Sequence, residues 1–260
     1  MMDITVSLVS LNQRADLARL MPSLLQAVDM VRGEILLVDN RSSDGTSEWV
    51  RQHCPGPVVN SVFNPDIAGY GENHNLNLKL AKGRYFVIMN SDMTVAPDVF
   101  VTLRDYMDQH PDVGIVTPKI LNPDGTIQGL NKRYPTMCDL FLRRFMPKRL
   151  QKLFQSRMDY YEMRDVGYEH ECDVPNLSGC FMFCRTDLLK GIGGFDERYF
   201  LYFEDTDLCR RVQRTHRTVY YPGATVIHYW ARTAHKKLMF TCIFIQSAWR
   251  YFNRWGYKLW

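Results

Sequence analysis

Short apolar runs alternate along the chain with longer stretches in which apolar residues recur every three or four positions. The runs are Ile4–Val9, Glu34–Val38, a shorter one over 58–63, and Tyr85–Met89. Each has the length and the branched or aromatic content of a buried strand. Between the first two, Leu17, Leu20, Leu24, Leu25 and Val28 fall on one face of a helix that runs to about Val31. Helices are also predicted over Thr46–His53 and Glu72–Ala81. Four strand–helix alternations within the first third of the chain predict a parallel, Rossmann-like sheet.

Ligands of such sheets bind beyond the carboxyl ends of the strands. Three of those ends are polar. Asn12 follows the first strand, Asp39-Asn40-Arg41-Ser42-Ser43-Asp44-Gly45-Thr46 the second, and Asn90-Ser91-Asp92 the fourth. Three amide or carboxylate ends on one edge favour a binding cleft there.

The second half is patterned differently. Val113–Ile120 and Ser178–Cys184 read as strands, and Gly191–Asp196 as a glycine-rich turn. A phosphate loop would place its glycines between a strand and a helix start. These follow a short helical piece, so a structural turn is expected. The aromatic run Phe200-Leu201-Tyr202-Phe203 then delivers Glu204, Asp205 and Asp207 at a helix start. The helix dipole favours carboxylates there and accounts for Asp207. The apolar run predicts that another of them sits in a partly dry cleft, where a carboxylate is a candidate general base. Residues 218–229 predict two short strands ending at His228.

Composition narrows the class. The 260 residues are 46% hydrophobic and 23% charged, which excludes a disordered or collagenous chain. No run reaches 18 uncharged apolar residues, so no spanning helix is predicted. The start, Met-Met-Asp-Ile-Thr, has no basic region followed by a long apolar run, so no signal peptide is expected. Seven cysteines without a CxxC pair predict reduced, buried thiols in preference to a zinc site. The net charge of +4 does not point to nucleic acid. Its distribution is more telling. Residues 132–157 carry eight basic groups (Lys132, Arg133, Arg143, Arg144, Lys148, Arg149, Lys152, Arg157) against Asp139 alone, and 231–260 carry six against none. The remaining 18 basic and 27 acidic residues leave a net negative core. Both basic segments are rich in large apolar side chains, a composition suited to an anionic membrane surface.

The ordered pieces Val6–Asn12, Val38–Thr46, Asn64–Asn75, Asn90-Ser91-Asp92, Ser178–Met182 and Gly193–Leu208 resemble the bacterial family two glycosyltransferases of GT-A fold. The likeness is greatest to rhamnosyltransferase-like members of surface-polysaccharide (O-antigen and capsule) assembly, and it covers nearly the whole chain. It implies an α/β architecture, a Rossmann-like mixed sheet flanked by helices. A catalytic domain would span 1–230, with a nucleotide-sugar half (1–120) and an acceptor half (121–230). A basic, aromatic helical segment would follow over 231–260.

The implied chemistry is inverting transfer of a sugar, first choice rhamnose from dTDP-rhamnose and otherwise another hexose from a UDP- or GDP-sugar, to a hydroxyl of a lipid-diphosphate-linked oligosaccharide. Asp205 is implied as base. Ser10, Asn12, Asp39, Asn40, Gly69, Asn73, Asn75, Ser91 and Asp92 are implied on the donor side, with Arg232 as a further cation for the diphosphate. Gly179 and Glu204 are implied on the acceptor side. A donor diphosphate needs a divalent cation or a cationic clamp, so Mg²⁺ or Mn²⁺ on Asp92 and His228 is expected. The expected location is peripheral, on the cytoplasmic side of the membrane. A nucleotidyltransferase would share the sheet and the metal but would need a glycine-rich basic loop after the first strand, and Ser10-Leu11-Asn12-Gln13-Arg14 has no glycine. A non-catalytic sugar- or membrane-binding module stays open, though it would have no use for both Asp92 and Asp205.

Overall fold

The computed structural model describes residues 2–54, 56–230 and 238–260. In chain order its elements begin β1 (Ile4–Ser10), α1 (Arg14–Asp29), β2 (Gly33–Asp39), α2 (Thr46–His53), β3 (Val59–Phe63), α3 (Tyr70–Leu80) and β4 (Tyr85–Asn90). Next come β5 (Met93–Val95), α4 (Val99–Gln109), β6 (Val113–Leu121), α5 (Met137–Arg144), α6 (Lys148–Gln151) and α7 (Gln155–Tyr161). The last are β7 (Cys172–Asp173), β8 (Phe181–Arg185), α8 (Thr186–Gly191), α9 (Glu204–Val212), β9 (Arg217–His228) and α10 (Leu238–Trp255).

The strands form one sheet in the order β3-β2-β1-β4-β8-β6-β9-β5, with β7 on β9. The β3-β2-β1-β4 half is parallel, as the strand–helix alternation predicts. In the other half β8 runs antiparallel to β4 and β6, and β5 antiparallel to β9, so the sheet is mixed. The register sets Ser10 against Asp39 and Val9 against Asn90, which aligns three polar strand ends on one edge. Because β8 is antiparallel, its amino end reaches that same edge, and Asn90 N–H donates to the Cys180 carbonyl at 2.9 Å. The expected pair of strands over 218–229 is one strand, β9. Pro222-Gly223 reads in sequence as a break, yet it is taken up as a register shift opposite Pro118/Lys119.

One sheet face packs on α1 and α4 through Leu17, Leu20, Leu24, Phe100, Leu103 and Met107. The other packs on α3, α8 and α9 through Leu78, Leu189, Leu208 and Val212. A separate aromatic cluster of Tyr199, Phe203, Tyr251 and Phe252 docks α10 against the turn that precedes α9. Part of the basic run serves the fold. Asp139 caps α5 with Thr136 and receives two hydrogen bonds from Arg157 at 2.6 and 2.9 Å, and Arg133 forks onto Asp165 at 2.8 Å.

Candidate active site

The donor edge is a set of strand-end loops that hold one another. Asp39, almost wholly buried, accepts from the hydroxyls of Ser42 and Ser47 and from Ser42 N–H. Asn12, in the left-handed region at φ 57°, accepts from Ser43 N–H at 2.7 Å. Asn40 pairs with both backbone groups of Ala68 at 2.9 Å, and Asn64 bridges Asn40 to Asn73. Gly69 meets the Phe200 backbone, where an added Cβ would lie 3.2 Å from Phe200 atoms, so this loop closes on the segment leading to Asp205. Ser10 Oγ is buried without a partner among the described residues, and Ser91 Oγ donates to Gln13 at 2.7 Å. Asn75 is placed differently from the rest. Its amide is saturated by Phe195 N–H, Phe195 C=O and Glu197, and it pins the glycine-rich turn to α3. Arg232 lies outside the described residues.

Asp92 and His228 face each other, Oδ1 to Nε2, at 3.2 Å. Met93 and His228 are cross-strand partners, and Tyr229 N–H donates to the Asp92 carbonyl, so the sheet itself sets the pair. Gln128 decides the imidazole tautomer. Its Nε2 donates to the His228 carbonyl at 2.8 Å, which turns its Oε1 toward Nδ1 at 2.9 Å. Donation from Nδ1 to Gln128 leaves Nε2 beside a carboxylate oxygen, a position in which the two atoms can share a proton or hold a cation. Among the described residues no third His, Cys, Asp or Glu completes a cluster. The pair would supply two ligands to a divalent ion bound there.

Asp205 stands at the first turn of α9. Its Oδ2 accepts from Gly179 N–H at 3.1 Å and its Oδ1 from Thr206 N–H at 2.7 Å. A Cβ at residue 179 would lie 3.3 Å from Asp205 Cβ, so a side chain there would push the carboxylate back by a few tenths of an ångström. Tyr70 OH donates to the Gly179 carbonyl at 2.7 Å with Asn90 Oδ1 at 3.0 Å, which ties the base loop to the end of β4. Tyr202 and Phe203, at φ 71° and 67°, lie consecutively in the left-handed region just before the carboxylates. Such residues cost about 1–3 kcal/mol each and persist where the surroundings over-determine them. Phe203 is held by Tyr251 and Phe244 of α10. Glu204 is buried, and its Oε2 has no partner among the described residues. Desolvation, then the neighbouring Asp205, pushes its pKa well above the usual carboxylate range. Asp207 is bound to Arg211 at 2.7 Å and to Arg254 at 3.0 Å, the structural role the helix start predicts.

Sequence reasoning missed Gln128 and gave no role to Tyr70, although Tyr70 lies within the Asn64–Asn75 piece. The non-local pairs Tyr70–Gly179 and Gln128–His228 appear only once the sheet is assembled.

The mixed sheet, with helices on both faces and polar strand ends along one edge, has the GT-A architecture of its structural neighbours. Residues 3–257 match the family described as Glycosyltransferase like family 2, and the chain belongs to that family. It is 29% identical over 215 residues to the N-acetylglucosaminyl-diphospho-decaprenol L-rhamnosyltransferase of Mycobacterium tuberculosis, covering 76% of this chain and 67% of that protein. It is 23% identical to the rhamnosyltransferase WbbL of Escherichia coli K12, over 75% of this chain and 72% of the relative. Among solved structures, S. aureus TarS with UDP-GlcNAc superposes with a TM-score of 0.63 at 18% identity over 97% of this chain and 67% of that one. The mannosyltransferase PcManGT from Pyrobaculum calidifontis, solved with GDP-Man and Mn²⁺, gives 0.61 at 18% identity, over 89% of this chain and 58% of that one.

Proposed function

We propose that this glycosyltransferase moves a deoxyhexose, first choice rhamnose from dTDP-rhamnose, with inversion to a hydroxyl of a lipid-diphosphate-linked sugar in surface-polysaccharide assembly. The rhamnosyltransferase relatives support the sugar, and the decaprenol-diphosphate acceptor in one relative's name supports the lipid. Asp39, Ser10 and Asn12 would receive the base and ribose. Asp92 and His228 would hold a divalent ion, which supplies charge neutralisation to the departing nucleoside diphosphate. Asp205 accepts the proton of the attacking hydroxyl as the new glycosidic bond forms and the bond to the diphosphate breaks. One base acting in a single displacement inverts the anomeric centre. Work at the cytoplasmic side of a membrane follows from the lipid acceptor.

The observation that carries this reading is the placement of Asp205. It is pinned by two backbone N–H groups, and Tyr70 OH, shared between the Gly179 carbonyl and Asn90 Oδ1, ties its loop to the strand end that leads to Asp92. Asp205→Asn should lower kcat by about 10²–10⁴-fold while leaving donor binding intact. Donor binding is read as the rise in melting temperature with dTDP-, UDP- or GDP-sugars in Mg²⁺ or Mn²⁺. Normal turnover by Asp205→Asn, or no stabilisation by any donor, would reject the reading.

A further inference from the structure

The two oxygens of Asp205 are not equally occupied. Oδ1 is met by Thr206 N–H at 2.7 Å and by the Thr206 hydroxyl at 3.3 Å. Among the described residues Oδ2 is met by Gly179 N–H alone, at 3.1 Å. A carboxylate oxygen has two lone pairs, so Oδ2 keeps one for a further donor. Gly179 therefore aims the oxygen that is open to substrate. A glycine holds no direction by itself, because without a Cβ its two flanking peptides turn freely. One of them carries the N–H given to Asp205. The other carries the Gly179 carbonyl, and Tyr70 OH donates to that carbonyl at 2.7 Å. The Tyr70 ring lies against the same residue. A Cβ built on Gly179 would be 3.6 Å from Tyr70 Cε1 and 3.7 Å from Asp205 Oδ2.

Tyr70 is itself held. Its N–H donates to the Phe200 carbonyl at 2.9 Å, its hydroxyl reaches Asn90 Oδ1 at 3.0 Å, and its ring stands edge-on to His74 with centroids 4.5 Å apart. His74 is fixed in turn. Asn77 Nδ2 donates to Ser7 Oγ at 2.9 Å, which turns the Ser7 proton toward His74 Nδ1 at 2.7 Å. The frame behind the phenol thus runs back to β1, inside the sheet.

We propose that Tyr70 is a positioning residue for the base: its hydroxyl fixes the peptides around Gly179 so that Asp205 presents the open lone pair of Oδ2 to the acceptor hydroxyl. This deepens the transferase reading and rests on it. Tyr70 neither takes nor gives the transferred proton, which passes from the acceptor hydroxyl to Oδ2. The phenol acts through Gly179, since it is committed to that carbonyl and to Asn90. Tyr70 also opens α3 directly behind the donor-side loop, in which Asn40 grips both backbone groups of Ala68. One side chain therefore aligns the base with the donor edge.

The test is a double-mutant cycle on kcat, with dTDP-rhamnose and Mn²⁺ on the donor side and a short-alkyl N-acetylglucosaminyl diphosphate as acceptor. Tyr70→Phe keeps the ring and removes only the hydroxyl. It should lower kcat by about tenfold or more, with KM for dTDP-rhamnose and the rise in melting temperature given by dTDP unchanged. In an Asp205→Asn background the same substitution should change kcat by less than about twofold, because no base is left to aim. Gly179→Ala leaves the phenol in place and presses on the Asp205 side chain, and it should show the same pattern. A normal kcat for Tyr70→Phe overturns the proposal. An equal loss in the wild-type and Asp205→Asn backgrounds overturns it too, since a merely structural tyrosine would give that result. A wild type that moves no sugar, or an Asp205→Asn enzyme with full turnover, overturns the transferase reading and the proposal with it.

Discussion

His228 shows how one neighbour decides a residue's chemistry. A neutral imidazole can offer either nitrogen, and Gln128, oriented by the His228 carbonyl, leaves only Nε2 free to bind a cation beside Asp92. Gln128→Leu keeps the bulk and removes the constraint. Mn²⁺ affinity in the presence of dTDP, followed by electron paramagnetic resonance, should fall by about 10–100-fold. An unchanged affinity would mean that the ring is held by the sheet alone. At this scale the sequence was partly legible. Asp39, Asp92, Asp205 and His228 stand at strand or helix ends next to apolar runs, so polarity at a boundary marked them. Gln128 lies in a long irregular connection, where a side chain that orients a histidine looks like any other polar residue. Asn75 was misleading for the opposite reason: it keeps company with the donor-side motif, yet its amide is spent on the Phe195 turn.

Among the elements, α9 and α10 act together. Asp207 in the first turn of α9 is fully buried and bound by Arg211, Arg254 and Trp255 Nε1, two of them from α10 or its end. Removing one partner of a buried ion pair leaves an uncompensated charge. Asp207→Ala should therefore cost about 3–5 kcal/mol in urea denaturation. Arg254→Met, which trims the more exposed partner, should cost about 1 kcal/mol or less. Similar costs for the two would refute the assignment of Asp207 as the centre of the contact. Element types were legible where apolar periodicity was long, as in α1 and β1. β5, α4 and β7 were not read: β5 and β7 are only three and two residues long. The reversal of β8 is set by tertiary pairing with β4, to which an apolar run such as Phe181–Cys184 gives no direction.

Across the whole molecule, the split between an acidic core and basic, apolar-rich segments survives in a reduced form. Arg133, Arg157 and Arg254 are taken up by ion pairs with Asp165, Asp139 and Asp196. What reaches the surface is Arg143 and Arg149 beside Phe141, Phe145, Leu150 and Leu153, and on α10 the side chains of Leu238, Met239, Ile245 and Trp249. Arg144 joins the two regions, donating to Thr241 at 2.9 Å. Among the described residues no helix is long and apolar enough to cross a membrane. Such a face should bind phosphatidylglycerol vesicles at low salt and release them as salt rises, and bind phosphatidylcholine vesicles poorly. Replacing both Phe141 and Leu153 with Glu should abolish flotation with anionic vesicles. If the double variant still floats, the contact lies elsewhere.

The paired left-handed turn at Tyr202 and Phe203 ties these scales together. Strain at two successive aromatic residues is tolerable only while Phe203 is gripped by α10. The pairing of Ser10 with Asp39, by contrast, is set between β1 and β2, near the start of the chain. The carboxylate at the start of α9 thus takes its geometry from a helix that lies beyond it in the chain.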